Sequence, residues 1–208
     1  EDSQVDTCGG SFPVEARGIK VYLQDQAYLL ILARDITQRR QDEKQIYELA
    51  FFDTLTNLPN RRLFMDRLKS SIGLHKANHS YGAVLYMDLD RFKTINDSLG
   101  HAVGDNLLQE IGQRFENVLP QEATCSRFGG DEFVILLPES GQSLKVCAEH
   151  AAHLAEEILE RMQVPFEVEG HVLYCTASIG ITVFPDDSCT VLDILRQADT
   201  ALYRVKAL

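Results

Sequence analysis

Two adjacent glycines between two short apolar runs constrain this chain more than any other feature. Residues 123–128 and 132–138 read as strands, and Gly129-Gly130 between them is a hairpin turn signal. The turn delivers Asp131 and Glu132 at its exit. Neighbouring carboxylates repel and point to opposite faces of a strand, which suits a place beside a cation or a substrate carrying one; a solvated hairpin tip would use the same residue types. A second acidic strand end lies upstream. Residues 81–87 form an apolar run of the kind buried at a sheet centre, and it ends in Asp88-Leu89-Asp90. Oxygen ligands from two strand ends suit Mg²⁺, which takes one or two carboxylates together with backbone carbonyls, waters and phosphate oxygens.

Taken in order, residues 1–11 are polar and read as loose. Residues 12–23 and 26–33 alternate as two strands around a Gln24-Asp25 turn. Thr37 is placed to cap a charged helix over 38–51 with Ile46, Leu49 and Ala50 on one side. Asn60 opens a helix over 61–75, with Leu63, Phe64, Leu68 and Ile72 as its buried stripe. Helices are predicted over 92–99, 101–119, 143–162 and 190–207, and strands over 164–168 and 172–183. His150 and His153 read as solvated. Strands alternating with helices around one central hairpin give an α/β (α+β) class, with helices about a mixed, mainly antiparallel sheet.

Composition narrows the function. A formal charge of −11 argues against non-specific binding to nucleic acid or anionic membrane, each of which needs a basic face. Apolar residues make up 45% of the chain, yet no run approaches the roughly 20 residues of a membrane helix. The segment is therefore expected to be cytoplasmic and to make no membrane contact, although a parent protein with an anchor elsewhere fits equally well. Five cysteines (Cys8, Cys125, Cys147, Cys175 and Cys189) lack CxxC or zinc spacing, and free thiols in a reducing cytosol fit better than a disulfide framework.

The ordered set Asp88-Leu89-Asp90-Arg91-Phe92-Lys93-Thr94-Ile95-Asn96-Asp97, Gly100-His101, Gly104-Asp105 and Arg127 through Phe133 resembles the GGDEF family, the diguanylate cyclases. The likeness extends to Asp53 through Arg61, Ala177 through Ile181, and Ala198 through Lys206. It implies a nucleotide-cyclase or polymerase-palm type fold with a ferredoxin-like core. It also implies three parts: residues 1–37 as the end of a PAS-like sensor, 38–52 as a connecting helix, and 53–208 as the cyclase domain. A private hairpin cap and a solvated spacer are the alternatives for the first two.

The implied reaction joins two GTP into cyclic di-GMP and two pyrophosphates, with two Mg²⁺ (or Mn²⁺) per site, in a homodimer of half-sites. By resemblance the metals fall to Asp88, the Leu89 carbonyl, Asp131 and Glu132. Asp131 is a general base or a metal ligand only. Lys93, Phe92 and Lys206 are the phosphate contacts, although a lysine on a helix is also a plain solvated charge. Asn96 and Asp105 match the guanine contacts, His101 stands near the base or orders the loop, and Gly129, Gly130 and Arg127 belong to the nucleotide-facing hairpin. The family carries Gly where this chain has Asn57, a mild departure because Asn tolerates a left-handed backbone. The Arg-x-x-Asp product site of many members corresponds to Pro120-Gln121-Glu122-Ala123, which has no charge pair to grip cyclic di-GMP. A GTP-binding regulatory domain that does not cyclise is the rival reading.

Overall fold

The computed structural model describes residues 2–5, 11–24, 26–141, 143–185 and 190–207, and the chain divides into two units, Glu1–Ala50 and Phe51–Leu208. In the first unit, β1 (Asp2–Val5), β2 (Ser11–Leu23) and β3 (Gln26–Asp35) form an antiparallel sheet in that order. Residues 1–11 were expected to be loose; instead Asp2–Val5 pairs with residues 11–14 of β2. β2 and β3 stay in register from Val14↔Asp35 to Leu23↔Gln26, as their alternation predicts, and Gln24 takes the left-handed conformation at the turn. Asp25, with Cys8 and Cys189, lies outside the described residues. Every residue of β3 is exposed, including Leu29, Leu30, Ile31 and Leu32.

Helix α1 (Thr37–Phe51) follows. Its start corrects the expected cap. Asp35 Oδ1 accepts the Thr37 amide (2.8 Å) and the Thr37 hydroxyl (2.6 Å), so Thr37 is a donor inside the first turn. No residue of α1 is buried, and its surface carries the i,i+4 pairs Arg39–Glu43 and Lys44–Glu48, each worth only a few tenths of a kcal/mol, on the order of 0.3–0.5.

The second unit is built on a four-stranded antiparallel sheet. Helix α2 (Arg61–Asn78) is capped by Asn60, whose side chain accepts from the Arg62 and Leu63 amides, and it buries Phe64, Leu68 and Ile72. It is followed by β4 (Tyr81–Leu89), α3 (Phe92–Leu99), α4 (His101–Val118), β5 (Thr124–Gly129), β6 (Glu132–Gly141) and α5 (Leu144–Met162). A small hairpin of β7 (Phe166–Val168) and β8 (His171–Leu173) then precedes β9 (Ala177–Phe184) and α6 (Val191–Lys206), which starts with a Thr190–Asp193 capping box. The sheet order is β5-β6-β4-β9.

The strand expected over 172–183 is broken. Glu169 and Gly170 both have positive φ (50° and 81°), which closes β7 and β8 as a tight hairpin of their own, and the chain enters the main sheet only at Ala177.

Side-chain alternation sends β4 and β6 into two cores. Leu85, Met87, Phe133 and Ile135 pack with Leu107, Ile111 and Phe115 of α4 and Ile158 of α5. Val84, Val134 and Leu136 pack with Phe64 and Leu68 of α2 and Ile194 and Ala198 of α6. Burial on both faces explains why β4 reads as an unbroken apolar run although its neighbours are antiparallel.

Candidate active site

Asp88 is the first polar residue after that run, and its position follows from strand register. It pairs with Glu132 of β6 on one side and with Ser178 of β9 on the other. Period 2 sets Asp88 on the same face as Val84 and Tyr86, the face covered by α2 and α6. The Leu89 amide donates to the Asp131 carbonyl at 3.3 Å. The two acidic segments thus meet at one end of the sheet.

The hairpin between them is fixed from below. Gly129 (φ 137°) and Gly130 (φ 53°) hold conformations that favour glycine, and a Cβ at either would meet no atom within 4 Å, so the space over the turn is open. Arg127, expected against the nucleotide, points into the protein. Its Nε and Nη2 donate to the Gly130 carbonyl (3.1 and 2.8 Å), and its Nη1 pairs with Asp53 Oδ1 at 2.9 Å. Burial pushes the Asp53 carboxyl up, but the Thr56 amide and hydroxyl and the Arg127 guanidinium together hold it below the usual carboxylate value. Asn57 stands at φ 58° in the same loop, a left-handed conformation that asparagine tolerates.

The carboxylates crowd one another. Burial raises the Asp88 carboxyl above its ordinary value; the Lys206 ammonium opposes this, and the charges of Asp131 and Asp90 add to it. Burial also raises Glu132, opposed by a hydrogen bond from the Tyr86 hydroxyl (3.2 Å) and reinforced by Asp88, Asp131 and Asp199. Such a set is relieved by a cation. Among the described residues no three His, Cys, Asp or Glu side chains close round a common point, so Asp88, Asp131 and Glu132 are not a ready-made cage. The reason is local: Asp88 Oδ1 is paired with Lys206, and Glu132 Oε2 with Tyr86. Lys206, expected on phosphate, is thus an ion-pair partner of Asp88. The donors still fit Mg²⁺ or Mn²⁺, which needs few carboxylates and takes remaining positions from water and phosphate.

The second half of the candidate site lies on α3 and α4. Phe92 is buried, whereas Lys93, His101 and Asp105 are exposed. Asn96 Oδ1 is buried with no hydrogen-bond partner, and a Cβ on Gly104 would stand 1.8 Å from it. A glycine at 104 therefore makes room for the Asn96 amide, whose oxygen no protein donor satisfies. Tyr86, Asp53 and Asp199 were missed as contributors, and of these only Tyr86 carries a local signal, standing two residues before Asp88.

Cys125, Cys147 and Cys175 are free and buried, and burial pushes the Cys125 and Cys175 thiols up to about 12 and about 11. No described helix is long and apolar enough to cross a membrane.

Residues 50–208 match the family described as "Diguanylate cyclase, GGDEF domain". The chain is 35% identical over 206 residues to the signaling protein YkoW of Bacillus subtilis, covering 99% of this chain and 25% of YkoW. It is 38% identical over 170 residues to the bifunctional diguanylate cyclase/cyclic di-GMP phosphodiesterase MucR of Pseudomonas aeruginosa, covering 82% of this chain and 24% of MucR. It thus spans about a quarter of the length of these relatives. A solved GGDEF domain of TpbB from Pseudomonas aeruginosa superimposes with a TM-score of 0.69 at 37% identity, covering 75% of this chain and 88% of that one. A matching profile over most of the chain and a matching sheet with acidic strand ends lead to one conclusion: the chain belongs to the GGDEF family.

Proposed function

We propose that residues 53–208 are a diguanylate cyclase domain that condenses two GTP into cyclic di-GMP, each chain supplying half of the site. The observation that carries this reading is the meeting of Asp88, Asp131 and Glu132 at one sheet end, through the Asp88↔Glu132 register and the Leu89–Asp131 backbone bond. In each half-reaction a 3′-hydroxyl oxygen bonds to the α-phosphorus of the other nucleotide. The bond from that phosphorus to the bridging oxygen breaks, pyrophosphate leaves, and the hydroxyl proton passes to Asp131. Two Mg²⁺ or Mn²⁺ ions, held by Asp88, the Leu89 carbonyl, Asp131 and Glu132, would neutralise phosphate charge.

The other residues have binding roles in this reading. Asp105 accepts from the guanine N–H donors and the Asn96 amide pairs along the same edge, with His101 beside it. A carboxylate paired with adjacent N–H donors rejects adenine, which lacks that arrangement. Lys93 and the Phe92 amide meet the triphosphate, and Lys206 exchanges Asp88 for phosphate when nucleotide enters. Arg127 acts from below by holding the turn. Residues 1–37 are proposed as the end of a PAS-like sensor and 38–52 as the helix that transmits its state, in a cytoplasmic homodimer without nucleic-acid partners.

A second reading has an observation of its own. The Lys206–Asp88 pair occupies one Asp88 oxygen, and a domain in which that pair persists with GTP bound would hold the nucleotide without cyclising it. Incubation with GTP and Mg²⁺ separates the two: cyclic di-GMP supports the first, and GTP binding without product supports the second.

Gly104→Ala offers a narrower check on the base site. Its methyl would displace the Asn96 amide, the flexible end of a side chain, so folding is expected to survive while GTP binding weakens roughly tenfold or more, the value of one lost hydrogen bond in a buried site. Calorimetric titration with a non-hydrolysable GTP analogue measures it, and unchanged affinity would remove Asn96 from the site.

A further inference from the structure

The sequence places a second carboxylate, Asp90, two residues beyond Asp88, where a strand-end pair reads as two metal ligands. The geometry gives it another task. Asp90 Oδ2 accepts the Thr176 hydroxyl at 2.7 Å, Oδ1 accepts the Ser178 hydroxyl at 2.8 Å, and the Asp90 amide donates to the Thr176 carbonyl at 2.8 Å. Both carboxylate oxygens and the backbone are therefore engaged by one neighbouring segment, at the point where β4 leaves its ladder with β9.

We infer that Asp90 is a positioning residue, which locks the Asp88-Leu89 dipeptide onto β9 so that the Asp88 carboxylate and the Leu89 carbonyl keep one orientation toward a divalent cation. On the other side the Leu89 amide is tied to the Asp131 carbonyl, so the dipeptide is held between the hairpin and β9. A carboxylate accepts both hydroxyl donors on its two oxygens, whereas an asparagine in the same place would turn an N–H₂ toward one of them and force that hydroxyl to accept instead. Partners behind a metal ligand of this kind fix its direction, and their loss typically weakens metal binding roughly 10–100-fold. The Thr176 and Ser178 hydroxyls thus belong to the site through Asp90.

This inference rests on the metal-site reading given above, and the test separates the two. Asp90 also contributes charge near Asp88, so Asp90→Asn alone would confound position with electrostatics. The pair Thr176→Val with Ser178→Ala keeps the charge and removes both hydroxyls. Thr176 is exposed and Ser178 half-buried, so folding is expected to persist, as checked by thermal melting. Mn²⁺ binding to the whole chain is read by the loss of free-ion electron paramagnetic resonance signal.

The expected result is that both Asp90→Asn and the Thr176/Ser178 pair weaken Mn²⁺ binding roughly 10–100-fold, whereas Thr176→Ser, which keeps the hydroxyl, leaves it unchanged. Wild-type affinity in the Thr176/Ser178 pair would overturn the inference and leave the metal site standing. Failure of the wild-type protein to take up Mn²⁺ would overturn both.

Discussion

Replacing Asp131 with alanine is expected to lower cyclic di-GMP formation by roughly 10²–10⁴-fold, the range supplied by a positioned proton acceptor, while the melting temperature stays close to wild type. Asp131 stands at the exit of the hairpin, and its contact to the rest of the sheet, the bond from the Leu89 amide, is made by its backbone carbonyl and survives the substitution. Loss of the side chain removes one of the charges crowding Asp88 and Glu132, so folding is not expected to suffer. Initial rates of product formation at saturating GTP and Mg²⁺ give the effect on activity. Full activity in the variant would exclude Asp131 from the chemistry. The variant also sorts the two roles open to this carboxylate, because loss of a base changes the pH–rate profile, whereas loss of a ligand shows first as weaker Mn²⁺ binding.

Gly180→Ala should cost the fold itself about 3 kcal/mol or more. Gly180 lies on β9 where α6 crosses it, and a Cβ there would stand 2.2 Å from the Ala198 carbonyl oxygen, 2.3 Å from the Leu202 amide nitrogen and 2.9 Å from the Leu202 Cα. All three are backbone atoms of one helix, so no rotamer change makes room. At roughly 2–4 °C per kcal/mol for a domain of this size, the melting temperature is expected to fall by about 6–12 °C. Because α6 carries Asp199 and Lys206, its displacement should also disturb the acidic site. A melting temperature within about 2 °C of wild type would mean that β9 and α6 are not in this contact.

The two glycine positions show what could be read from sequence and what could not. Gly129-Gly130 announced its hairpin because turn chemistry is local and the flanking runs alternate. The same holds for β4, whose apolar run from Tyr81 to Met87 is followed at once by Asp88, the residue that pairs with Glu132. Gly180 inside a strand signals a close approach, but not by which helix.

The break between β8 and β9 was hidden because residues 172–183 keep an apolar alternation. What decides it is the tight turn at Glu169-Gly170 and the grip of Asp90 on Thr176, a partner 86 residues away. The inward contacts of Arg127 were hidden for a similar reason. Its partner Asp53 lies 74 residues upstream, and nothing in the hairpin sequence distinguishes a guanidinium facing a nucleotide from one facing the protein. At the start of α1 the ambiguity was purely local: Asp35 and Thr37 are both good acceptors for an exposed amide, and the carboxylate takes the role.

The exposed face of β3 has a dynamic consequence. Its ladder with β2 runs for ten pairs, from Val14↔Asp35 to Leu23↔Gln26, yet Leu29 through Leu32 stay 45–68% exposed, so backbone bonding is most of what holds those residues in place. Opening such a ribbon exposes little new apolar surface and is cheap. Deuterium should therefore replace the amide hydrogens of residues 26–34 far sooner than those of residues 83–87, which are sealed between two layers of helices.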